Sequence, residues 1–226
     1  MLLAFKALAF LVVSFLLMAT ALFLAAGTLI WPAGWIWLIL LHGWMLVGIV
    51  LLLKYNPGLL QERLSSSRPN QKAWDKVFLA LSQLFLFAWL VLMPLDVVRF
   101  HWSRMPLVLQ IVGAIALVAS FLILSLTFRE NSFLSPTVRI QEERGQTTIS
   151  TGPYHYVRHP MYAGGLLLFL GTPLLLGSWY GLVMFLLFLP GLAVRIRLEE
   201  RVLREELPGY VAYMAQVKYR LLPHVW

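Results

Sequence analysis

Uninterrupted apolar runs as long as a bilayer is thick dominate this chain, and they remove most folds from consideration. Leu2 to Ile30 carries a single charge, Lys6, and Trp35–Leu53, Val77–Val98 and Leu107–Phe128 are runs of similar character. Two shorter runs, Pro160–Leu176 and Trp179–Val194, meet at Gly177-Ser178. A helix of about 20 apolar residues crosses the ~30 Å hydrocarbon layer. In lipid every backbone N–H and C=O must be paired within the protein, and continuous runs, unlike the alternating pattern of barrel strands, achieve this as helices. The first run is also longer than the ~7–15-residue core of a signal peptide, so it counts as a span. The expected fold is an all-α integral membrane protein of about six transmembrane helices, the last two a short helical hairpin whose second arm continues past the membrane.

Composition narrows the function classes. The chain is 60% hydrophobic and 12% charged, and it contains no Cys, which excludes disulfides, thiolate nucleophiles and Cys-ligated metals. A formal charge of +8 would suggest nucleic acid in a soluble protein; in a membrane protein it reflects loop topology, and no nucleic-acid partner is expected. Six spans put the amino terminus, the 54–76 loop, the 129–159 loop and the tail on one side. That side collects all of the 18 Lys and Arg residues except Arg99 and Arg104, so it should be cytosolic. A compact multi-pass chain of this kind fits a bacterial inner membrane, with both termini in the cytosol. It divides into a four-span region, 1–128, and a carboxyl-terminal region, 129–226, holding the long loop, the hairpin and a charged helix.

Local signals fill in the connections. Asn56-Pro57-Gly58 reads as a turn and Ser65-Ser66-Ser67-Arg68-Pro69-Asn70 as a loop. Pro94 should kink or end the third span near Asp96, and Asp96 with Arg99 reads as an interfacial ion pair. His42, inside the second span, reads as a neutral histidine hydrogen-bonded between helices. Thr137–Gln141 and Gln146–Ile149 alternate and are β-branched around Glu142-Glu-Arg-Gly145, which predicts a small β-hairpin on the membrane surface.

The polar chemistry concentrates at Thr151-Gly-Pro-Tyr-His-Tyr-Val-Arg-His-Pro-Met-Tyr162. His155 and His159 have a metal-ligand spacing only if they share a helix, but Pro160 pushes His159 out of α geometry, so no metal site is expected. Pro160 suits the first turn of a helix, whose free amides attract an anion that Arg158 and His159 would reinforce. On the returning helix Arg195 and Glu199 are spaced i, i+4 and can face one site. Arg197, Arg201, Arg204, Glu205 and Glu206 read as a solvated surface.

Taken in order, Gly152-Pro-Tyr, Arg158-His-Pro-Met-Tyr162, an apolar hairpin, Arg195 followed by Glu199-Glu200, and Gly209-Tyr-x-x-Tyr213 resemble the isoprenylcysteine carboxyl methyltransferase and phospholipid methyltransferase superfamily. The resemblance runs from about Phe128 to the end. It implies an S-adenosylmethionine-dependent membrane methyltransferase with a cytosol-facing cofactor pocket formed by the carboxyl-terminal half. It carries cofactor contacts over to Gln146, Thr147, Thr148, Ile149, Tyr154, His159, Pro160, Met161, Tyr162 and Glu199. Gln141 corresponds to a cofactor-contacting glutamine of the eukaryotic branch, and Arg195 to the substrate-contacting arginine. The implied reaction is carboxyl O-methylation of an isoprenylcysteine-like or other lipophilic acceptor lying among membrane lipids. Alternatives are a phospholipid amine, for which His155 or Glu200 would be the base, a small thiol, or nicotinamide-dependent reduction of a sterol or other double bond. A transporter or scaffold would need charges paired within the spans, and the spans hold few.

Overall fold

The computed structural model describes residues 1–65 and 70–226, and among these residues the secondary structure is entirely helical. The helices are α1 (Leu2–Ala26), α2 (Pro32–Tyr55), α3 (Pro57–Leu64), α4 (Ala73–Pro94), α5 (Leu107–Glu130), α6 (Pro160–Leu176), α7 (Trp179–Glu206) and α8 (Tyr210–Gln216). Five of them, α1, α2, α4 with its continuation to Arg99, α5 and α7, are long and apolar enough to cross a membrane, whereas α6 has 17 residues and is shorter. The chain is an integral membrane protein by this measure. The loop expected at Ser65–Asn70 falls largely on residues 66–69, outside the described residues.

Helix ends follow local chemistry. Gly27 closes α1 in the left-handed region at φ 73°, which only glycine enters without a Cβ penalty. Pro32, Pro57 and Pro160 each open a helix at its first turn, where the missing N–H is harmless. Asn56-Pro57-Gly58 is therefore a helix start and not the expected turn: the Asn56 side chain caps the Leu59 N–H at 3.1 Å. Pro94 ends the regular part of α4, and residues Leu95–Arg99 continue it as one wide π-helical turn.

Close packing of α5 against α6 forms the centre of the bundle. A Cβ at Gly113 would lie 2.3 Å from the Leu175 backbone nitrogen, and one at Gly171 would lie 2.8 Å from the Gly113 carbonyl oxygen. Farther along, the Ser120 hydroxyl donates to the Gly164 carbonyl at 2.7 Å. Gly113 faces Gly171 and Ser120 faces Gly164, so the two helices run antiparallel. Small residues let helices approach where lipid offers no hydrophobic driving force between them. Indole N–H groups in the bundle also need acceptors: Trp37 donates to Thr172 Oγ1 (3.0 Å), Trp44 to Ser125 Oγ (2.9 Å) and Trp89 to the Gly181 carbonyl (2.8 Å).

Three local readings are corrected. Residues 137–141 and 146–149 form no strands, because their backbone and side-chain groups bond elsewhere: Val138 N–H to Asp75 at 2.9 Å, the Val138 carbonyl to Lys72 N–H at 3.5 Å, and the Thr148 hydroxyl to the Pro208 carbonyl at 3.0 Å. Asp96 makes no ion pair with Arg99 among the described residues; fully buried, it accepts from Ser103 and Ser178 hydroxyls, each at 2.6 Å. His42 bonds the Leu38 carbonyl of its own helix at 3.0 Å, not a neighbouring helix, and stacks edge-on with Phe15.

The α5–α6 contact makes a matched pair of substitutions informative. Gly171→Ala should destabilise the protein by ~1–3 kcal/mol through overpacking against backbone. Gly165→Ala, where a Cβ meets nothing within 4 Å, should be neutral or stabilising by up to ~1 kcal/mol. Thermal unfolding of the purified protein in detergent measures both.

Candidate functional site

The 131–159 connection, the start of α6, the end of α7 and α8 enclose a cleft of about 860 Å³, counting its open mouth. A 3₁₀ turn at Gly152–His155 carries Tyr154 into it, where the phenol oxygen accepts from Asn131 Nδ2 at 2.8 Å and the backbone carbonyl accepts from the Tyr213 hydroxyl at 2.7 Å. Gly152 sits at φ 56°, and a Cβ there would meet the Glu130 carboxylate at 2.8 Å, so this turn requires glycine.

Pro160 occupies the first position of α6 and His159 its N-cap, at φ −126° and ψ 62°, outside α geometry. Their neighbours are fixed by the tail, since Arg158 and His159 N–H groups donate to the Tyr219 and Arg220 carbonyls, both at 2.9 Å. The Arg158 and His159 side chains meet an anion from the chain itself. Glu200, 3% exposed, accepts from Arg158 Nε at 2.7 Å and Arg220 Nε at 2.8 Å, and lies 3.2 Å from His159 Nε2. Arg158 also donates through Nη1 to the Val217 and Lys218 carbonyls.

The adjacent residue on α7, Glu199, is the acid that faces the cleft. Its Oε2 accepts from the Tyr162 hydroxyl at 2.6 Å, while Oε1 lies 4.0 Å from His159 Nδ1. Arg195 lines the same wall; its Nη2 donates to the Pro136 carbonyl at 2.9 Å and forms an ion pair with Asp75 at 3.0 Å. Its guanidinium lies over the rings of Phe78 and Tyr162, and its Nε is buried without a hydrogen-bond partner among the described residues. Burial pushes the Tyr154, Tyr210 and Tyr213 phenols well above their ordinary range. They can donate hydrogen bonds at neutral pH but cannot act as bases.

Gln146, Thr147, Thr148, Ile149, Tyr154, His159, Met161, Tyr162, Arg195 and Glu199 all line the cleft. Pro160 is buried and shapes the helix start without lining the cleft. Gln141 does not line the cleft: it is 1% exposed, donating to the Phe133 carbonyl at 2.6 Å and accepting from Arg144 at 2.6 Å, so it braces the loop from behind. His155 lies outside the cleft, against Tyr156.

Sequence reasoning missed Asn131, Phe133, Arg139 and Leu203 in the lining. Arg139 is held by Glu62 of α3 at 2.9 Å and by Glu143 at 2.8 Å, and no spacing rule connects it to a residue 77 positions away. Tyr210 and Tyr213 stood in a noted motif, and their apolar period was the available signal.

The phospholipid methyltransferase family model matches residues 107–208, which include α5, the long loop, α6, nearly all the lining residues and the whole of α7. The match points to a membrane methyltransferase. No curated protein matches the chain at a significant level.

The Glu200 cluster predicts a stability effect. Glu200→Gln leaves Arg158 buried without its counter-charge, a loss of ~3–5 kcal/mol by the usual cost of breaking a buried pair. Lys72→Ala, which breaks a half-exposed pair with Glu206, should cost no more than ~1 kcal/mol. Hydrogen exchange at residues 217–226 should rise in the first variant and stay unchanged in the second.

Proposed function

We propose that this chain, whose residues 107–208 belong to the phospholipid methyltransferase family, transfers a methyl group from S-adenosylmethionine to a lipophilic acceptor at the membrane surface. The acceptor group is a carboxylate of isoprenylcysteine type. The observation that carries the reading is the cleft itself, which brings Glu199, Tyr162 and Arg195 together at the end of the apolar bundle.

The residues present fit the cofactor. Ile149, Leu203 and Leu207 provide apolar surface beside the Tyr154 ring for a purine, and Tyr210 offers a buried hydroxyl without a partner among the described residues. Glu199 keeps an oxygen without a hydrogen bond and suits an ammonium group. When bound, S-adenosylmethionine supplies an electrophilic methyl on a sulfonium. The chain's own residues then have to align the acceptor and exclude water. Arg195 orients an anionic acceptor through the donors it does not spend on Asp75 and Pro136.

The preference for a carboxylate follows if Glu199 is spent on the ammonium of the cofactor, because the other candidate bases are engaged or lie elsewhere. Glu200 is saturated by Arg158, His159 and Arg220, the phenols stay protonated, and His155 lies elsewhere. A carboxylate is already ionised at neutral pH and needs no proton removed. The family description favours a second reading, N-methylation of a phospholipid amine, in which water or Glu199 would take the proton. A small thiol would likewise have to arrive as its thiolate. In either lipid case the tail stays in the bilayer and the head enters from the cytosolic face.

The test is a methyl-labelling assay on the purified protein with a farnesylcysteine analogue and a total lipid extract. Base-labile label on the analogue is expected; label confined to amine headgroups would establish the second reading, and no transfer to either would contradict both. Glu199→Gln should abolish S-adenosylmethionine binding in calorimetry, whereas Arg195→Gln should retain it and mainly impair the acceptor step, leaving a slowed but measurable transfer. Equal loss of cofactor affinity in both would show the roles to be divided wrongly.

A further inference from the structure

Asp75 is the most completely buried acid near the cleft, and it comes from the first turn of α4, outside the segment that carries the family match. Its exposure is 0%. A carboxylate in that position needs compensation, since an unpaired buried charge is far costlier than the same charge in water. Each oxygen is committed to a different part of the cleft. Oδ1 lies 3.0 Å from Arg195 Nη2 as an ion pair without the alignment of a hydrogen bond, and Oδ2 accepts from the Val138 N–H at 2.9 Å and from Gln71 Nε2 at 3.0 Å.

Two walls of the cleft therefore meet at one side chain. Arg195 is on α7, and Val138 is in the loop wall that also supplies Pro136, whose carbonyl accepts from the same Nη2 at 2.9 Å. With Nη2 held on one side and the guanidinium lying over Phe78 and Tyr162, the head group has little freedom to rotate. The remaining donors, Nε and Nη1, make no hydrogen bond among the described residues. Without Asp75 the Arg195 charge would be free to follow other anions, including Glu199 on the next turn.

We propose that Asp75 is a positioning residue of the methyl-transfer site: it fixes the Arg195 guanidinium and the 136–138 wall in the orientation that receives an anionic acceptor. This rests on the methyltransferase reading above. Asp75 acts through Arg195 and touches neither acceptor nor cofactor. The four-span region thus contributes to the site and is more than a membrane anchor.

A double-mutant cycle on the full-length protein, with Asp75→Asn, Arg195→Gln and the pair, tests this. The readouts are KM and kcat for a farnesylcysteine analogue, S-adenosylmethionine affinity by calorimetry, and hydrogen exchange at residues 136–139. Asp75→Asn should raise the acceptor KM by about tenfold or more, leave cofactor affinity within about twofold, and speed exchange at Val138. On the Arg195→Gln background the same change should have no further effect on acceptor kinetics. Additive kinetic losses, or a loss confined to cofactor affinity, would overturn the positioning role, as would unchanged acceptor kinetics in Asp75→Asn. If Asp75→Asn fails to fold, the conservative Asp75→Glu serves with the same readouts: a raised acceptor KM with intact cofactor binding supports the role, and an unchanged KM overturns it. A wild-type protein that neither binds the cofactor nor transfers methyl would instead overturn the functional reading on which this rests.

Discussion

Glu62, Asp75 and Glu200 are carboxylates removed from water, at 9%, 0% and 3% exposure, and each is matched by an arginine: Arg139, Arg195 and Arg158 respectively. The energetics of such pairs come from burial and not from distance. The Lys72–Glu206 pair is as short as any, at 2.6 Å, but it is half-exposed, and screening leaves an exposed pair worth no more than ~1 kcal/mol. Breaking a buried pair costs ~3–5 kcal/mol because the abandoned charge has nowhere to go. The three buried pairs tie α3 to the loop, α4 to α7 and the loop to α7. The cleft is what they enclose.

The membrane half makes this arrangement possible by being rigid. Where lipid offers no water, α5 and α6 bond through small residues in backbone contact, and indole donors find hydroxyl or carbonyl acceptors. At the far end of the bundle Asp96 gathers Ser103 and Ser178, so the α6–α7 turn is clamped to the end of α4. α7 carries that order across the membrane to Arg195, Glu199 and Glu200 without a break. A helix anchored at one end can hold side chains at the other to the tolerance that in-line methyl transfer demands.

Apolar run length and proline chemistry made most helix positions legible. Pro160 opening α6, Pro94 ending regular α4, and α7 running to Glu206 before Pro208-Gly209 all follow from local rules. The failures were non-local or polar. Asn56-Pro57-Gly58 satisfies the rules for a turn and for a capped helix start equally, and Leu59 N–H decided it. Alternation at 137–149 looked like strands, but Asp75 and Lys72 took the backbone partners of Val138. Asp96 sits beside Arg99 in sequence, yet its partners are Ser103 and Ser178. Gln141 and Pro160 were assigned contacts by resemblance, and their side chains lie behind the cleft or within the helix start. Asp75 gave no signal at all, because its meaning depends on residues more than a hundred positions away in α7.

The central claim is that the carboxyl-terminal cleft receives a cofactor while the bundle stays unchanged. Hydrogen exchange of the wild-type protein with and without S-adenosylhomocysteine tests this most directly, since it reads location independently of turnover. The account predicts protection confined to residues 131–162 and 195–213, with the α1 and α2 amides unaffected. Protection centred on the α1–α2 hairpin, or none at saturating ligand, would contradict it.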